Sequence, residues 1–337
     1  MAGGCLQLFV QLPWVLPTLS HFRLSLGRRV AGVGEAIRNF WPVVLARGVV
    51  NLSGWVDTVL AGLLAVGGIA VLGYAQTFYV LPISLFGMAI AASELPELSR
   101  NRGELEDVLV PRVRGALERT AFLLIPSAMA YLILGDVFIA ALLQRGEFGP
   151  AETAVTHAVL AAYALGLPAS ASSRVLSSTF YALRDTRSPA KIAYLRVAVS
   201  VAIGVGLMFP MDRFAVGELR MGPVGLALGA AVGAWLEYLL LRKRLAGHLG
   251  LHGPGRGRIP RMLMAGVAAL GVGVGAKALL GFSLMPGLLS DLLGEGSMWL
   301  DPVAALVAAG LFGGTYLGVA FLLGVGMPLR RKPPTQG

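Results

Sequence analysis

Residues 70–95 read AVLGYAQTFYVLPISLFGMAIAASEL, 26 positions in which Glu94 is the one charged residue. At a helical rise of about 1.5 Å per residue the stretch reaches about 39 Å, more than the roughly 30 Å of hydrocarbon in a bilayer. Nothing in hydrocarbon hydrogen-bonds an open backbone, so an apolar run of this length must satisfy itself as a helix. The pattern recurs at 41–66, 119–140, 153–183, 190–210, 222–241, 259–282 and 300–326. The expectation is an all-α, polytopic membrane bundle of about eight transmembrane helices.

Composition points the same way. Of the 337 residues 56% are apolar and 14% charged, against about 25% charged in a soluble domain, and the mean hydropathy is +0.73. Gly and Pro punctuate the connections at Gly67-Gly68, Gly146 to Pro150, Ser188-Pro189, Gly222-Pro223 and Gly247 to Pro260. The gaps leave no room for a soluble domain. Five segments are expected: 1–39, the end of a truncated helix plus a cytoplasmic amphipathic linker; 40–245, a six-helix lobe; 246–258, a cytoplasmic loop; 259–327, two further transmembrane helices; and 328–337, a basic cytoplasmic tail. Residues 6–17, broken by Pro13 and Pro17 and without a basic leader, read as the tail of a helix rather than a signal peptide.

The net charge of +10 is distributed between the spans. Twenty Lys and Arg fall in connections on one side, from Arg23–Arg38 through to Arg330–Lys332, and three, Arg145, Arg213 and Arg220, on the other. That asymmetry records insertion, so the first side, with the C-terminus, is expected in the cytoplasm. It makes membrane lipids the partners of the basic residues and gives no reason to expect nucleic acid. Two connections, Val30–Trp41 and Glu104–Arg119, the latter interrupted by Pro111, are expected as surface helices.

Polar residues inside spans are costly and mark function by default. Arg47 and Asp57 share the first span, ten residues apart. A helix separates such positions by about 15 Å axially and about 80° around the axis, too far for a direct pair. With Asn51 between them, they suggest a helix lining a polar cavity, which Gln76 and Thr77 of the second span and Arg174 of the fourth extend. Arg119, Arg196 and Lys277 lie near span ends and are expected to snorkel, and Glu94 and Glu237 to anchor at the interface. Pro82, Gly87, Gly166 and Pro168 are hinge candidates.

Enzyme signatures are missing. The four histidines form no HExxH, there is no Walker lysine motif, and the single cysteine, Cys5, permits neither an intrachain disulfide nor a CxxC metal site. No catalytic residue, metal or cofactor is expected. The residues leave transport or flipping, a channel, or an intramembrane scaffold.

Three ordered motifs narrow the choice. The stretch Tyr74 to Ile90 with Glu94-Leu95-Pro96-Glu97-Leu98-Ser99-Arg100, then Gln144-Arg145-Gly146-Glu147-Phe148, then Phe180-Tyr181-Ala182-Leu183-Arg184-Asp185-Thr186-Arg187-Ser188-Pro189, resemble the eighth helix and two later turns of the MurJ/MviN family of lipid II flippases. On that resemblance the spans correspond to family helices seven to fourteen, and the first six are absent. The resemblance implies a bacterial inner-membrane protein that moves lipid II, or a related lipid-linked oligosaccharide, by alternating access, incomplete without an N-terminal lobe supplied in cis or trans. Alternatives are a polysaccharide or drug exporter of the same superfamily, or a non-transporting envelope scaffold.

The resemblance also implies residue roles. Arg174 matches a position where the family often carries a basic residue, which makes it a candidate for contact with the pyrophosphate. Family members have an Asp-Arg pair where this chain reads Gln76-Thr77, and Arg47 is expected to replace some of the missing charge. Asp57 matches one acidic sodium ligand of some members, but Gly204 and Met208 stand at the other ligand positions, so no sodium site is expected.

Overall fold

The computed structural model describes residues 54–64, 67–93, 109–250, 253–255, 257–282, 287–293 and 299–325, with five isolated positions. The chain divides into two compact units, Met1–Trp41 and Pro42–Gly337. In the first, only Phe9, Leu12, Pro13, Gly34 and Phe40 are described, each helical and exposed. The expected surface helix at Val30–Trp41 therefore lies almost wholly outside the described residues.

In the second unit, residues 54–62 are helical (α1), the described part of the expected first span. The following elements are α2 (Gly68–Pro82), α3 (Val110–Leu143), α4 (Pro150–Ala182), α5 (Arg187–Met211), α6 (Gly222–Leu249), α7 (Arg258–Leu280), the short α8 (Leu288–Leu293) and α9 (Leu300–Leu322). α2 continues through a wider π-helical turn, Ile83–Met88, to Ser93. Seven described helices are long and apolar enough to cross a membrane, at the positions expected from hydropathy. A two-stranded hairpin, β1 (Ala215–Val216) and β2 (Leu219–Arg220), joins α5 to α6. Its first turn residue, Gly217, has φ 61°, the positive value that two-residue hairpins favour.

One connection differs from expectation. Residues 110–119 are not a surface helix but the first turns of the 34-residue α3, which runs unbroken past them. Pro111 lies in the first turn, where the N–H it lacks would have no helical partner, so it opens the helix instead of interrupting it.

α4 is the core element. Its Val159, Leu160 and Tyr163 pack with Val71, Leu72, Ala75 and Phe78 of α2, while Val175, Leu176 and Phe180 pack with Leu117 of α3 and Leu241 and Leu245 of α6. α7 and α9 close on the other side of α3 through Met262, Ala265, Ala269, Phe312 and Tyr316. The outward residues of α9, among them Leu306, Phe321 and Leu322, are apolar and exposed, as a surface in hydrocarbon requires.

α5 and α6 form the closest helix pair. Gly225, Gly229 and Gly233 recur every four residues on α6, facing Ser200, Gly204 and Met208, also four apart, on α5. A Cβ on Gly229 would stand 2.5 Å from the Ser200 carbonyl oxygen and 2.6 Å from the Gly204 nitrogen; on Gly225, 2.6 Å from the Met208 nitrogen. The rows bring the backbones together as small-residue repeats do in membranes, where packing rather than water expulsion drives association. Gly204 and Met208, the two positions in question for a sodium site, are occupied in this packing.

Candidate functional site

Each small-residue row ends in a charge. One step of four before Ser200 is Arg196, and one step of four after Gly233 is Glu237. Because the two helices run antiparallel, these ends meet: Arg196 Nη1 donates to Glu237 Oε2 at 2.7 Å. Arg196 lies nine residues inside α5, about 13 Å along its axis. The expectations that Arg196 snorkels and that Glu237 is an interface anchor are corrected here. A charge that finds an opposite partner on the facing helix has no need to reach water.

The pair does not stand alone. Asp57 of α1, half-buried, lies within electrostatic range of the same guanidinium. Arg196 also senses Tyr79 of α2. Tyr79 stacks on the buried Tyr163 of α4, with centroids 5.0 Å apart and ring planes at 27°. The Tyr163 hydroxyl accepts a hydrogen bond from Gln76 Nε2 at 3.1 Å and interacts with Asp57. Five helices thus bring polar groups within electrostatic range of one another.

Of the six residues read from the sequence as lining a cavity, the structure brings Asp57 and Gln76 together through Tyr163. Thr77 is exposed and donates its hydroxyl to the Gly73 carbonyl of its own helix at 3.0 Å. Arg174 is exposed on α4. Arg47 and Asn51 lie outside the described residues.

The hinge candidates fall at tight crossings. Pro82 immediately precedes the π-helical turn, and Gly87 within that turn is buried, where a Cβ would sit 3.0 Å from Ala171 Cβ of α4. π-Helical turns of this kind are frequent at functional sites. At Gly166 a Cβ would meet Ala231 Cα of α6 at 2.7 Å, two residues before Pro168.

A second polar group went unread in the sequence. Lys277 Nζ of α7 lies 2.5 Å from Asp136 Oδ2 of α3, donates to the Ile133 carbonyl at 3.3 Å, and sits 5.3 Å from the Phe282 ring centroid. This corrects the expectation that Lys277 snorkels. His157 of α4 interacts electrostatically with both charges, and its Nε2 is 3.2 Å from the Tyr131 carbonyl. Spacing along one helix gives no hint of Asp136, a lone carboxylate in an apolar run whose partner is 141 residues away.

The turns named in the resemblance acquire physical reasons. α4 ends with Arg184 at φ 63°, while the Asp185 N–H donates to the Phe180 carbonyl at 2.9 Å. This left-handed helix stop usually takes glycine. Asp185 then accepts from the Ser188 N–H at 2.9 Å and from the Ser188 hydroxyl, capping the start of α5. In the other turn, Gly146 has φ 61°, and Phe148 packs edge-on against Tyr74 at 5.4 Å.

Comparison with known proteins adds an independent line. The family model described as lipid II flippase MurJ matches residues 1–285. A "probable lipid II flippase MurJ" of Rhizobium tropici is 31% identical over 348 aligned residues, covering 99% of this chain and 61% of that protein. The Rhizobium meliloti (strain 1021) protein of the same description is 31% identical over 271 residues, 79% of this chain and 48% of its own length. A Vibrio cholerae relative is 28% identical over 96% of this chain and 58% of its own. Among solved structures, "lipid II flippase MurJ, inward closed conformation" superposes with a TM-score of 0.66 at 19% identity, over 90% of this chain and 57% of that one. The chain spans about half to three-fifths of the length of these relatives.

Proposed function

The chain belongs to the lipid II flippase MurJ family, and we propose that it forms the second lobe of a flippase that carries an undecaprenyl-pyrophosphate-linked precursor across the bacterial inner membrane by alternating access. The observation that carries this reading is the polar cluster of Asp57, Gln76, Tyr79, Tyr163, Arg196 and Glu237, in which direct contacts tie α2 to α4 and α5 to α6 and Asp57 of α1 lies within electrostatic range of Arg196 and Tyr163. A lobe that must move as one body past its partner needs such cross-ties, and ionisable groups at this depth are retained where they serve transport.

The anion contact belongs, on this proposal, to Arg174. It is exposed on a helix whose span is otherwise mostly buried, and a guanidinium suits a pyrophosphate because its planar fork matches phosphate oxygens two at a time. Arg47, Asn51 and Thr77 are proposed to extend the same polar wall. The basic connections, and with them the C-terminus, are proposed to lie in the cytoplasm, a reading that the twenty-to-three charge asymmetry supports. The relatives extend beyond the matched part, and flipping is proposed to need an equivalent of that remainder, in the same chain or another. The role is movement of a lipid rather than covalent chemistry.

The test is rescue of bacteria depleted of their own flippase, with outer-leaflet lipid II measured by an enzyme added from outside. The chain is supplied with and without the first lobe of a relative. Rescue that needs the added lobe and is lost in Arg174→Glu supports the proposal. Unchanged flipping by Arg174→Glu removes Arg174 from the mechanism, and failure with either lobe arrangement overturns the function.

A further inference from the structure

Among the described helices three prolines stand well inside membrane spans: Pro82, Pro126 and Pro168. Each lacks the N–H that would bond the carbonyl four residues earlier, which in hydrocarbon leaves an acceptor that water cannot reach. For Pro82 that carbonyl is Phe78, and the hydroxyl of Tyr131, from α3, donates to it at 2.9 Å. For Pro126 it is Phe122, and the hydroxyl of Tyr316, from α9, donates to it at 2.8 Å. At Pro168 the indole N–H of Trp235, from α6, donates at 2.8 Å to Leu165, the carbonyl next to the one that Pro168 frees. In the first two cases an aromatic donor from the neighbouring helix reaches the freed carbonyl itself, and in the third it reaches the carbonyl beside it.

Two of these bonds form a series. α3 receives a donor from α9 at its own proline and, nine residues after the Phe122 acceptor, presents Tyr131 to the break in α2. Beyond that second break the helix widens into the π-helical turn Ile83–Met88. Tyr316 is 3% exposed and its ring lies 5.4 Å from that of Phe122, so neither end of this bond is free to wander.

We propose that Tyr131 and Tyr316 are positioning residues that couple the bending of three helices: each holds the carbonyl released by a proline in the adjacent span, so a change of bend at Pro126 is transmitted to Pro82. The inference deepens the alternating-access reading by naming which side chains set the compliance of the hinges. Pro82, a hinge candidate from the sequence, is then a bend controlled from α9, two helices away.

The test is a pair of double-mutant cycles, read by hydrogen–deuterium exchange of the full chain in lipid nanodiscs, so that it needs no substrate and stands apart from whether the protein flips. Tyr316→Phe keeps the ring and removes the donor. It is expected to speed exchange around Pro126 by about threefold, the factor matching an average interhelical hydrogen bond in a membrane, and to speed exchange at residues 83–88 as well. In a Pro126→Ala background, where a backbone N–H again reaches Phe122, the same substitution should have little effect. The Tyr131→Phe and Pro82→Ala cycle repeats the comparison if either Pro126 variant fails to fold. Equal effects with and without the proline would overturn the capping role, and a Tyr316→Phe effect confined to α3 and α9 would overturn the coupling.

Discussion

Arg196 Nη1 and Glu237 Oε2, 2.7 Å apart, close a helix crossing in which the backbone at Ser200, Gly204 and Met208 faces Gly225, Gly229 and Gly233. The pairing follows from helix geometry: steps of four keep both charges on the faces that already touch. Removing one partner of a buried pair leaves an uncompensated charge, which costs roughly 3–5 kcal/mol. For Glu237→Ala the expected loss is toward the lower end, about 3 kcal/mol, because Asp57 remains within electrostatic range of Arg196. Unfolding of the purified protein in mixed micelles measures it. The swapped variant, Arg196→Glu with Glu237→Arg, should recover at least half of the loss, and no recovery would mean that the pair is not the source.

Gly229 marks the closest approach of the two helices. A methyl there meets backbone rather than a side chain that can turn away, so Gly229→Ala should cost about 1–3 kcal/mol, the usual range for overpacking. Gly271 of α7 has no atom within 4 Å of the place its Cβ would occupy. Gly271→Ala should therefore be neutral or slightly stabilising. The same micelle measurement on both variants separates close packing from a general intolerance of helical glycines.

The spans were legible because hydrocarbon thickness imposes a length on any run that crosses it, and the seven described helices begin within about one to three turns of the expected points. What could not be read was which span faces which. Arg196 and Glu237 are 41 residues apart, and Asp136 and Lys277 are 141 apart. Each basic residue alone, near a span end, looks like one reaching for water. A signal for the first pair was present in the fourfold spacing of Gly225, Gly229 and Gly233 with Glu237 one step further. The start of α3 was misread for a different reason: Pro111 breaks a helix in its interior but opens one in its first turn, and sequence position does not distinguish the two. Of the site, Asp57 and Gln76 were legible as intramembrane polar residues, whereas Tyr79 and Tyr163 carry no mark that separates them from aromatic core.

Lys277 and Asp136 hold α7 to α3, and α7 packs with α9. Lys277→Met keeps the length of the side chain and removes the ammonium that pairs with the Asp136 carboxylate. The expected result is loosening of the α7–α9 pair: faster proteolysis or exchange at 258–280 and 300–322, with α5 and α6 unchanged. The double variant Lys277→Met with Asp136→Leu, which removes both charges, should be more stable than the single one, since apolar replacement of a whole buried pair is often neutral or favourable. A double variant no better than Lys277→Met would argue against a charge-pair role.

The turn at 183–188 lies outside the spans, and there pH enters. Burial pushes the Asp185 carboxyl up, but the hydrogen bonds from the Ser188 hydroxyl and N–H and the nearby Arg244 outweigh it and hold the group below its usual 3.8. A carboxylate whose folded value is depressed contributes stability above its unfolded value and loses it as pH falls through the folded one. Asp185→Asn should therefore destabilise by about 1 kcal/mol near pH 7, the typical worth of a helix cap, and the gap from the parent protein should shrink once pH drops below 3.8. The adjacent Arg184, at φ 63°, gives the opposite sign. Glycine adopts that conformation without the side-chain clash, so Arg184→Gly should be neutral or stabilising by up to about 1 kcal/mol at any pH. Melting curves at pH 3 and pH 7 for both variants check the pair. A pH-independent loss in Asp185→Asn would show that the amide fails for its shape rather than its charge.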